Sequence, residues 1–372
     1  MQIKEVNMKV LLLGEFSGLY RYLKEGLLKI GVDVFLAANG DSWKKIDGAD
    51  TSLYSVNRDK WNIYKTMKNY IIEPYQKAKK LSGYDVVQVI NPSIYNRLIN
   101  KNLTEQVVEQ NGLFSLSSAG DDYVIWKAYK KRIFDYYVYD LDHTAQKLYD
   151  EKNIFNLSRI KYQKRLISKA ELIIPCCYEY YKSYTSFPKL KEKTVKTIPL
   201  PINCNEIDYR ENIVNNKIVF FHGINRELAK GTPFIREALE VISNKYPNDV
   251  EVIINKRMPF REYLEVMHKT NVVIDHCMGY SYGMNSCVAM AEGKVVMAGN
   301  HPEIQGELGM VPPVVWIKPD VKHIVSQLEM IIENRNSISE MGYKSRQHVE
   351  KHHDHIKVAS QYLEAWKSTG KI

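Results

Sequence analysis

The chain has 372 residues, 45% hydrophobic and 26% charged, a soluble globular composition in which two domains of roughly 100–200 residues each are expected. No run reaches the ~18–20 apolar residues of a membrane span, and the N-terminus lacks a basic-then-apolar leader, so a cytoplasmic protein is expected. Five cysteines, Cys176, Cys177, Cys204, Cys277 and Cys287, form no CxxC pair and are odd in number, which fits free thiols in a reducing compartment.

The net charge of +9 is unevenly spread: residues 1–200 carry 32 Lys and Arg against 22 Asp and Glu, while residues 201–372 carry 20 against 21. The basic segments of the first half, at 60–65, 127–134 and 161–165, are rich in aromatics. Nucleic acid is one target that suits such a surface and an anionic membrane surface or a phosphorylated lipid another, while a solvated lysine face explains it equally well; of these partners nucleic acid is not the one expected.

Apolar runs of four to eight residues predict buried parallel strands at 9–14, 32–38, 84–91, 113–118 and 171–176. Helical periodicity fills the gaps, for instance at 19–30 and 61–81. The alternation predicts a doubly wound parallel sheet. An extended, proline-punctuated stretch at 197–203 and a polar, aperiodic one at 206–216 read as a linker. A second series follows, with strands at 217–221, 250–254, 271–275, 295–298 and 314–317. Helices are expected at 233–246, 259–269 and 285–292, and an all-helical tail over 320–367. The expected organisation is an α/β chain with an N-terminal Rossmann-like domain over 1–203, a second over 204–350, and a C-terminal helix over 351–372 packing back on the first. Ligands in such sheets sit beyond the carboxyl ends of the strands, here in a cleft between facing domains.

Two stretches of the second half carry the chemistry. In KIVFFHGINRELAKG, a strand ends at His222-Gly223, a polar loop brings Arg226 and Lys230, and Gly231-Thr232-Pro233 opens a helix with Thr232 as its expected cap. Two cations beyond a strand's carboxyl end suit an anion such as a diphosphate, although surface charges in a turn would give the same pattern. In NVVIDHCMGYSYGMNSCVAMAEGKVV, a strand ends at Asp275-His276, and the turn Tyr282-Gly283-Met284-Asn285 leads into a helix of small residues. A glycine beside free helix N–H groups is an anion-binding shape.

The pair RELAKG and YGMNSCVAMAEGKVV resembles the donor domain of GT-B nucleotide-sugar glycosyltransferases, closest to the retaining, family-4-like group that builds bacterial capsule and O-antigen polysaccharides. The resemblance covers about 217–300, and more loosely 8–200, where MKVLLLGEFSG and SSAGDDYVIWKAY carry it. It implies two Rossmann-like domains facing across a cleft and no cofactor. It further implies that Arg226 and Lys230, with Gly231, hold the donor diphosphate, and that Gly283, Met284 and Asn285 contact phosphate and sugar. Tyr282, His222 and Glu292 are weaker candidates for the donor sugar or ribose. The partners implied are a nucleotide-sugar donor and a saccharide or lipid-linked saccharide acceptor, at the inner face of the plasma membrane.

The family's two glutamates around this turn fall on Tyr280 and Val288, and its histidine near the reacting sugar falls on Ala119. Glu292, one helical turn beyond Val288, can face the same way and stand in for the second glutamate at the ribose, or it is a solvent-facing residue at the helix end. Asp121 and Asp122 follow the strand at 113–118 at its carboxyl end, where a carboxylate can take the acceptor's proton or cap the next helix. Gly14, Ser17 and Gly18 form the loop after the first strand, an acceptor-side loop in the family and otherwise a tight βα turn. Consecutive aspartates do not make a spaced metal pair, and His352, His353 and His355 are expected on a solvated helix face, so no catalytic metal is expected. A dinucleotide-binding oxidoreductase is disfavoured, because no G-x-G-x-x-G follows the first strand. A GT-B-shaped protein that binds a nucleotide sugar or saccharide without catalysis is the alternative, motivated by the missing glutamates.

Overall fold

The computed structural model describes residues 8–41, 46–54, 63–94, 102–256 and 260–372. The start of the expected helix at 61, the first residues of the basic segment at 60–65, and Pro259 lie outside them. The chain divides into two compact units: residues 1–133, 147–201 and 355–372 in the first, and residues 134–146 and 202–354 in the second.

The first unit holds a parallel sheet of β1 (Lys9–Leu13), β2 (Asp33–Ala37), β3 (Val86–Val89), β4 (Leu113–Ser118) and β5 (Leu172–Pro175), in the order β2-β1-β3-β4-β5. These strands are Val/Ile/Leu runs because helices cover both faces of such a sheet; β3, β4 and β5 are buried along their whole length. The Leu19–Lys29 helix packs against the C-terminal His355–Lys367 helix. A Cβ at Gly26 would come 2.0 Å from the His355 carbonyl oxygen, so only glycine permits this approach. Trp366 is fully buried and donates its ring N–H to Gln88 on β3.

The second unit repeats the design with β6 (Ile218–Ile224), β7 (Val250–Lys256), β8 (Val272–Ile274), β9 (Val295–Ala298) and β10 (Val314–Trp316), in the order β10-β9-β8-β6-β7. Counted from its own first strand this is 2-1-3-4-5, the same order as in the first unit. Its core gathers Ile218, Phe220, Val272, Ile274, Val295 and Met297 from the strands with Ile235, Leu239, Leu328 and Ile331 from the helices.

In this order the chain reverses its direction of growth between the first and third strands. A crevice opens there at the carboxyl ends, between β1 and β3 in one unit and between β6 and β8 in the other. All ten strands lie where the apolar runs predict them. The expected helix at 61–81 is described from Ile63 to Lys80, interrupted by a π turn at Lys68–Ile72.

Candidate functional site

The carboxyl end of β6 leads through Ile224 into the short Glu227–Lys230 helix, and then the Thr232–Lys245 helix begins. Gly231 joins the two helices in the left-handed region at φ 69°, and a Cβ there would lie 2.3 Å from Cys277 Sγ. The sequence predicts Thr232 as the cap. Instead it is the first helical residue, and its buried hydroxyl faces His222 at 2.9 Å.

His222 is fully buried on β6. Its Nδ1 donates to the Ile274 carbonyl on β8 at 2.8 Å, so Nε2 accepts from Thr232. Burial pushes the imidazole down to about 4, which keeps it neutral. With both ring nitrogens taken, His222 fastens β6, β8 and the helix start together, and has no nitrogen left for a donor sugar.

Lys230 Nζ donates to the Gly223 carbonyl at 2.7 Å and to Asp275 Oδ1 at 2.9 Å. Asp275 stands just past β8 and is 4% exposed. Its other oxygen accepts from Ser286 Oγ at 2.8 Å and lies 3.2 Å from His276 Nδ1. Burial alone would raise this carboxyl, but the Lys230 charge and His276 hold it well below the usual carboxylate range. Burial opposes charge on His276, yet Asp275 and the Ser281 carbonyl outweigh it and raise that ring. Ser286 sits in the first turn of the Met284–Ala291 helix. One buried carboxylate therefore ties Lys230 to the start of that helix. Sequence reasoning passed over Asp275 and Ser286; the signal available was a carboxylate ending an otherwise apolar strand.

Gly283 caps the Met284–Ala291 helix with φ −112° and ψ −172°, and no side chain caps it. Nothing lies within 4 Å of where its Cβ would be. Neither backbone strain nor packing demands glycine here, and the space beside its α-carbon is open. Met284 is buried and Asn285 exposed in the first turn. Arg346 closes the other end of the helix by donating to the Ala291 carbonyl at 2.8 Å. Arg226 is exposed one turn before Lys230, and among the described residues its guanidinium has no hydrogen bond or ion pair.

Of two weaker candidates, one adjoins Gly283 and the other lies at the far end of the same helix. Tyr282 is 5% exposed, and its hydroxyl is shared between His348 Nε2 at 3.1 Å and His353 Nε2 at 2.9 Å. Glu292 is the C-cap of the Met284–Ala291 helix, roughly 12 Å along the axis from Met284 at 1.5 Å per residue, and half-buried at the opposite end from Gly283. The expected solvated histidine face is also corrected: His353 and His355 are 3% and 1% exposed, because the tail helices bury them within their respective units. Among the described residues no three His, Cys, Asp or Glu side chains gather as a metal-ion set.

In the first unit, Asn91 past β3 donates to the Ala119 carbonyl at 2.8 Å, and Gly120 turns the chain at φ 74°. Asp121 is exposed. Asp122 is fully buried and caps the Tyr123–Lys130 helix, with Oδ1 accepting from Val124 N at 2.7 Å and Ile125 N at 3.1 Å. Its other oxygen accepts from the Tyr184 hydroxyl. Burial pushes this carboxyl up to about 6 despite those donors.

The Gly14 to Gly18 loop is a tight turn, with Gly14, Ser17 and Gly18 at φ 95°, 57° and 90°. A Cβ on Gly14 would meet Ile90 at 2.4 Å. Glu15 folds back under it, accepting from Gly18 N at 2.9 Å and Arg21 N at 2.8 Å, and burial pushes its carboxyl up to about 7. The amides at this helix start are thus satisfied by the chain's own carboxylate, whereas among the described residues no side chain caps the helix after Gly283.

No protein-family model matches the chain, and no curated protein sequence does. Solved structures do match it over nearly its whole length. Sucrose-phosphate synthase from Thermosynechococcus elongatus superposes with a TM-score of 0.63 at 14% identity, covering 97% of this chain and 99% of that one. HepE from Anabaena, in complex with UDP and glucose, gives 0.60 at 13% identity, with 97% and 100% covered. The UDP-GlcNAc 2-epimerase of Neisseria meningitidis, bound to UDP-GlcNAc, gives 0.53 at 11% identity, with 97% and 100% covered. The chain thus has the GT-B fold: two Rossmann-like units, each built on a five-stranded parallel sheet.

Proposed function

We propose that the protein is a glycosyltransferase of the hexosyltransferase class, which takes a sugar from a nucleoside-diphosphate sugar and retains the anomeric configuration. The observation that carries this reading is the arrangement at the β6/β8 switch point. Asp275 joins Lys230 to the first turn of a helix whose N-terminus is uncapped and open at Gly283, and Arg226 stands one turn away without a partner among the described residues. Open amides and two cations stabilise the charge that builds on a departing diphosphate. That HepE, of similar fold, is solved with UDP and glucose supports a uridine nucleotide as the first donor to test.

In this reading Arg226 and Lys230 hold the diphosphate, with Gly231 permitting the approach of the loop after β8. Gly283, Met284 and Asn285 face the phosphate and sugar. Asp121, exposed after β4, is the carboxylate for the acceptor hydroxyl, while Asp122 holds the helix beneath it. The Gly14, Ser17 and Gly18 turn serves the acceptor as a rigid wall. The acceptor is a saccharide carried on a lipid, in surface polysaccharide synthesis, and the protein works peripherally on the inner membrane face.

A thermal-shift screen against UDP, GDP, CDP and their sugars tests the donor. A ligand at 100 times its dissociation constant stabilises by about 2.7 kcal/mol. Failure of every nucleotide to stabilise the protein refutes the reading. Product analysis with the stabilising sugar nucleotide then separates transfer from epimerisation, the activity named for one protein of similar fold.

A further inference from the structure

The helical run from Ile63 to Lys80 is inside out. In a surface helix of a globular protein the apolar stripe faces the core. Here Pro74 and Ala78 are buried, while Tyr64 is 75% exposed, Met67 53%, Ile71 39%, Ile72 42% and Tyr75 53%. Tyr64, Met67, Ile71 and Tyr75 follow one another at spacings of three, four and four, so they line a single face. The π turn at Lys68–Ile72 lies in the middle of this face. Isolated exposed hydrophobics are ordinary, but a contiguous stripe of large ones marks an interaction surface.

The charges beside the stripe say what covers it. The run contains Lys65, Lys68, Lys77, Lys79 and Lys80 against a single acid, Glu73. Glu73 is engaged by Lys77 at 2.8 Å. Lys68, Lys79 and Lys80 are exposed and have no ion pair among the described residues. A second copy of this chain would bring a like-charged face, which disfavours self-association. An apolar stripe bordered by lysines, with tyrosines at both ends, matches the polar-apolar boundary of an anionic bilayer. Tyrosine rings sit at headgroup level, lysine stems cover apolar surface with their ammonium groups in the headgroups, and the apolar face enters roughly 5–10 Å.

We infer that the 63–80 helical run is the element that docks this protein on anionic lipid, lying in the plane of the surface with Tyr64, Met67, Ile71 and Tyr75 inserted. This rests on, and gives a location to, the membrane association proposed above. It is independent of how the second unit binds a nucleotide. Among the described residues no helix is long and apolar enough to cross a membrane, so the attachment is peripheral.

Flotation with vesicles of phosphatidylglycerol and phosphatidylcholine, against phosphatidylcholine alone, tests it. The wild type should float only with the anionic vesicles. Binding should fade between about 0.1 M and about 1 M salt, where the Debye length falls from ~10 to ~3 Å. The variant Tyr64→Ser, Met67→Ser, Ile71→Ser, Tyr75→Ser should bind at least about a hundredfold more weakly, and Lys68→Glu, Lys79→Glu, Lys80→Glu likewise. All these side chains are exposed, so the UDP-induced thermal shift should equal that of the wild type in both variants. A Tyr64→Trp reporter should shift its emission to the blue on anionic vesicles.

Wild-type protein that stays with the pellet, a serine variant that floats normally, or unshifted emission from the Tyr64→Trp reporter overturns the inference. So does binding that survives in the serine variant and is lost in Ile154→Ser, Phe155→Ser, which would move the site to that second exposed apolar pair. Vesicle binding without any nucleotide-induced shift would uphold the docking face and reject the donor reading.

Discussion

Lys230 and Asp275 meet at 2.9 Å with side chains only 12% and 5% exposed, so the lysine assigned to the donor diphosphate is also half of a buried ion pair. Arg226, one turn earlier, is exposed and without such a partner among the described residues. The two cations of the clamp therefore differ in what else they do. Removing one member of a buried pair strands the other, at a cost of about 3 kcal/mol or more. Removing an exposed side chain without a partner stays within about 0.5 kcal/mol.

Lys230→Ala should accordingly lower both stability and UDP affinity, whereas Arg226→Ala should lower UDP affinity alone. Each loss of affinity should be about 1.5–3 kcal/mol, as for a hydrogen bond to a charged group, and uridine binding should be unchanged. Calorimetry and urea titration measure the two effects. If Arg226→Ala binds UDP like the wild type, the clamp as drawn is wrong.

The two glycines of the site make an opposed pair. Gly231 has positive φ and no room for a Cβ, while Gly283 has an ordinary extended backbone and open space. Gly231→Ala should destabilise by more than the ~1–2 kcal/mol of the left-handed backbone alone, because Cys277 and Met278 must also move. Gly283→Ala should melt within a degree or two of the wild type and bind UDP several-fold more weakly, since the methyl group enters the space before the helix amides. A Gly283→Ala protein with full UDP affinity would show that no ligand approaches there.

The pH dependence of stability should carry the mark of His222. Its folded value is about 4 against an ordinary value of 6.5, so the fold favours the neutral ring. That stability is fully present above pH 6.5 and is lost as the pH falls toward 4. Between pH 7.5 and pH 5 the loss from this one group is about 2 kcal/mol. Glu15 and Asp122, whose folded values are raised, act in the opposite direction as their carboxyls take up protons. They remain in a His222→Asn variant and cancel in the comparison. The variant should lose about 2 kcal/mol less than the wild type over this interval, read from denaturant titrations at both pH values. Equal losses would place a charged or solvated ring at position 222.

The strands were legible because a parallel strand covered on both faces must be an unbroken apolar run, and each such run in this sequence forms one. The helix starts at Gly231 and Gly283 were legible for a different reason, since a glycine just ahead of a helical stretch marks where the helix begins, and each is the N-cap of the helix that follows it. The partners of buried polar groups were not. Asp275, His222 and Tyr282 all follow or lie near strand ends, yet one anchors the clamp, one locks strands together, and one is sealed among His348 and His353. Their roles depend on residues far away in sequence, and periodicity carries no record of such pairs. The 134–146 segment illustrates the same limit. It belongs to the second unit, where the Asp135 amide donates to the Tyr280 hydroxyl at 2.9 Å, although it lies within the first half of the chain.

The last prediction concerns the two aspartates after β4, which composition alone cannot tell apart. Asp122 accepts two helix amides and the Tyr184 hydroxyl and is fully buried, so its lone pairs are spent on structure. Asp121 is exposed at the same strand end. Asparagine keeps the shape of either side chain but cannot take a proton. Asp122→Asn should retain the amide contacts through its carbonyl oxygen while turning its NH₂ toward Tyr184. The expected result is a loss of about 1 kcal/mol in stability with transfer largely intact. Asp122→Ala should cost more, because the helix start and Tyr184 both lose an acceptor. Asp121→Asn should melt normally and bind UDP normally, yet lose on the order of 10²–10⁴ in turnover if its carboxylate receives the acceptor proton. Steady-state transfer assays at saturating donor, run beside thermal melts, separate these outcomes. Near-wild-type turnover in Asp121→Asn would remove that residue from the chemistry. A large loss of turnover in Asp122→Asn with unchanged stability would reverse the two assignments.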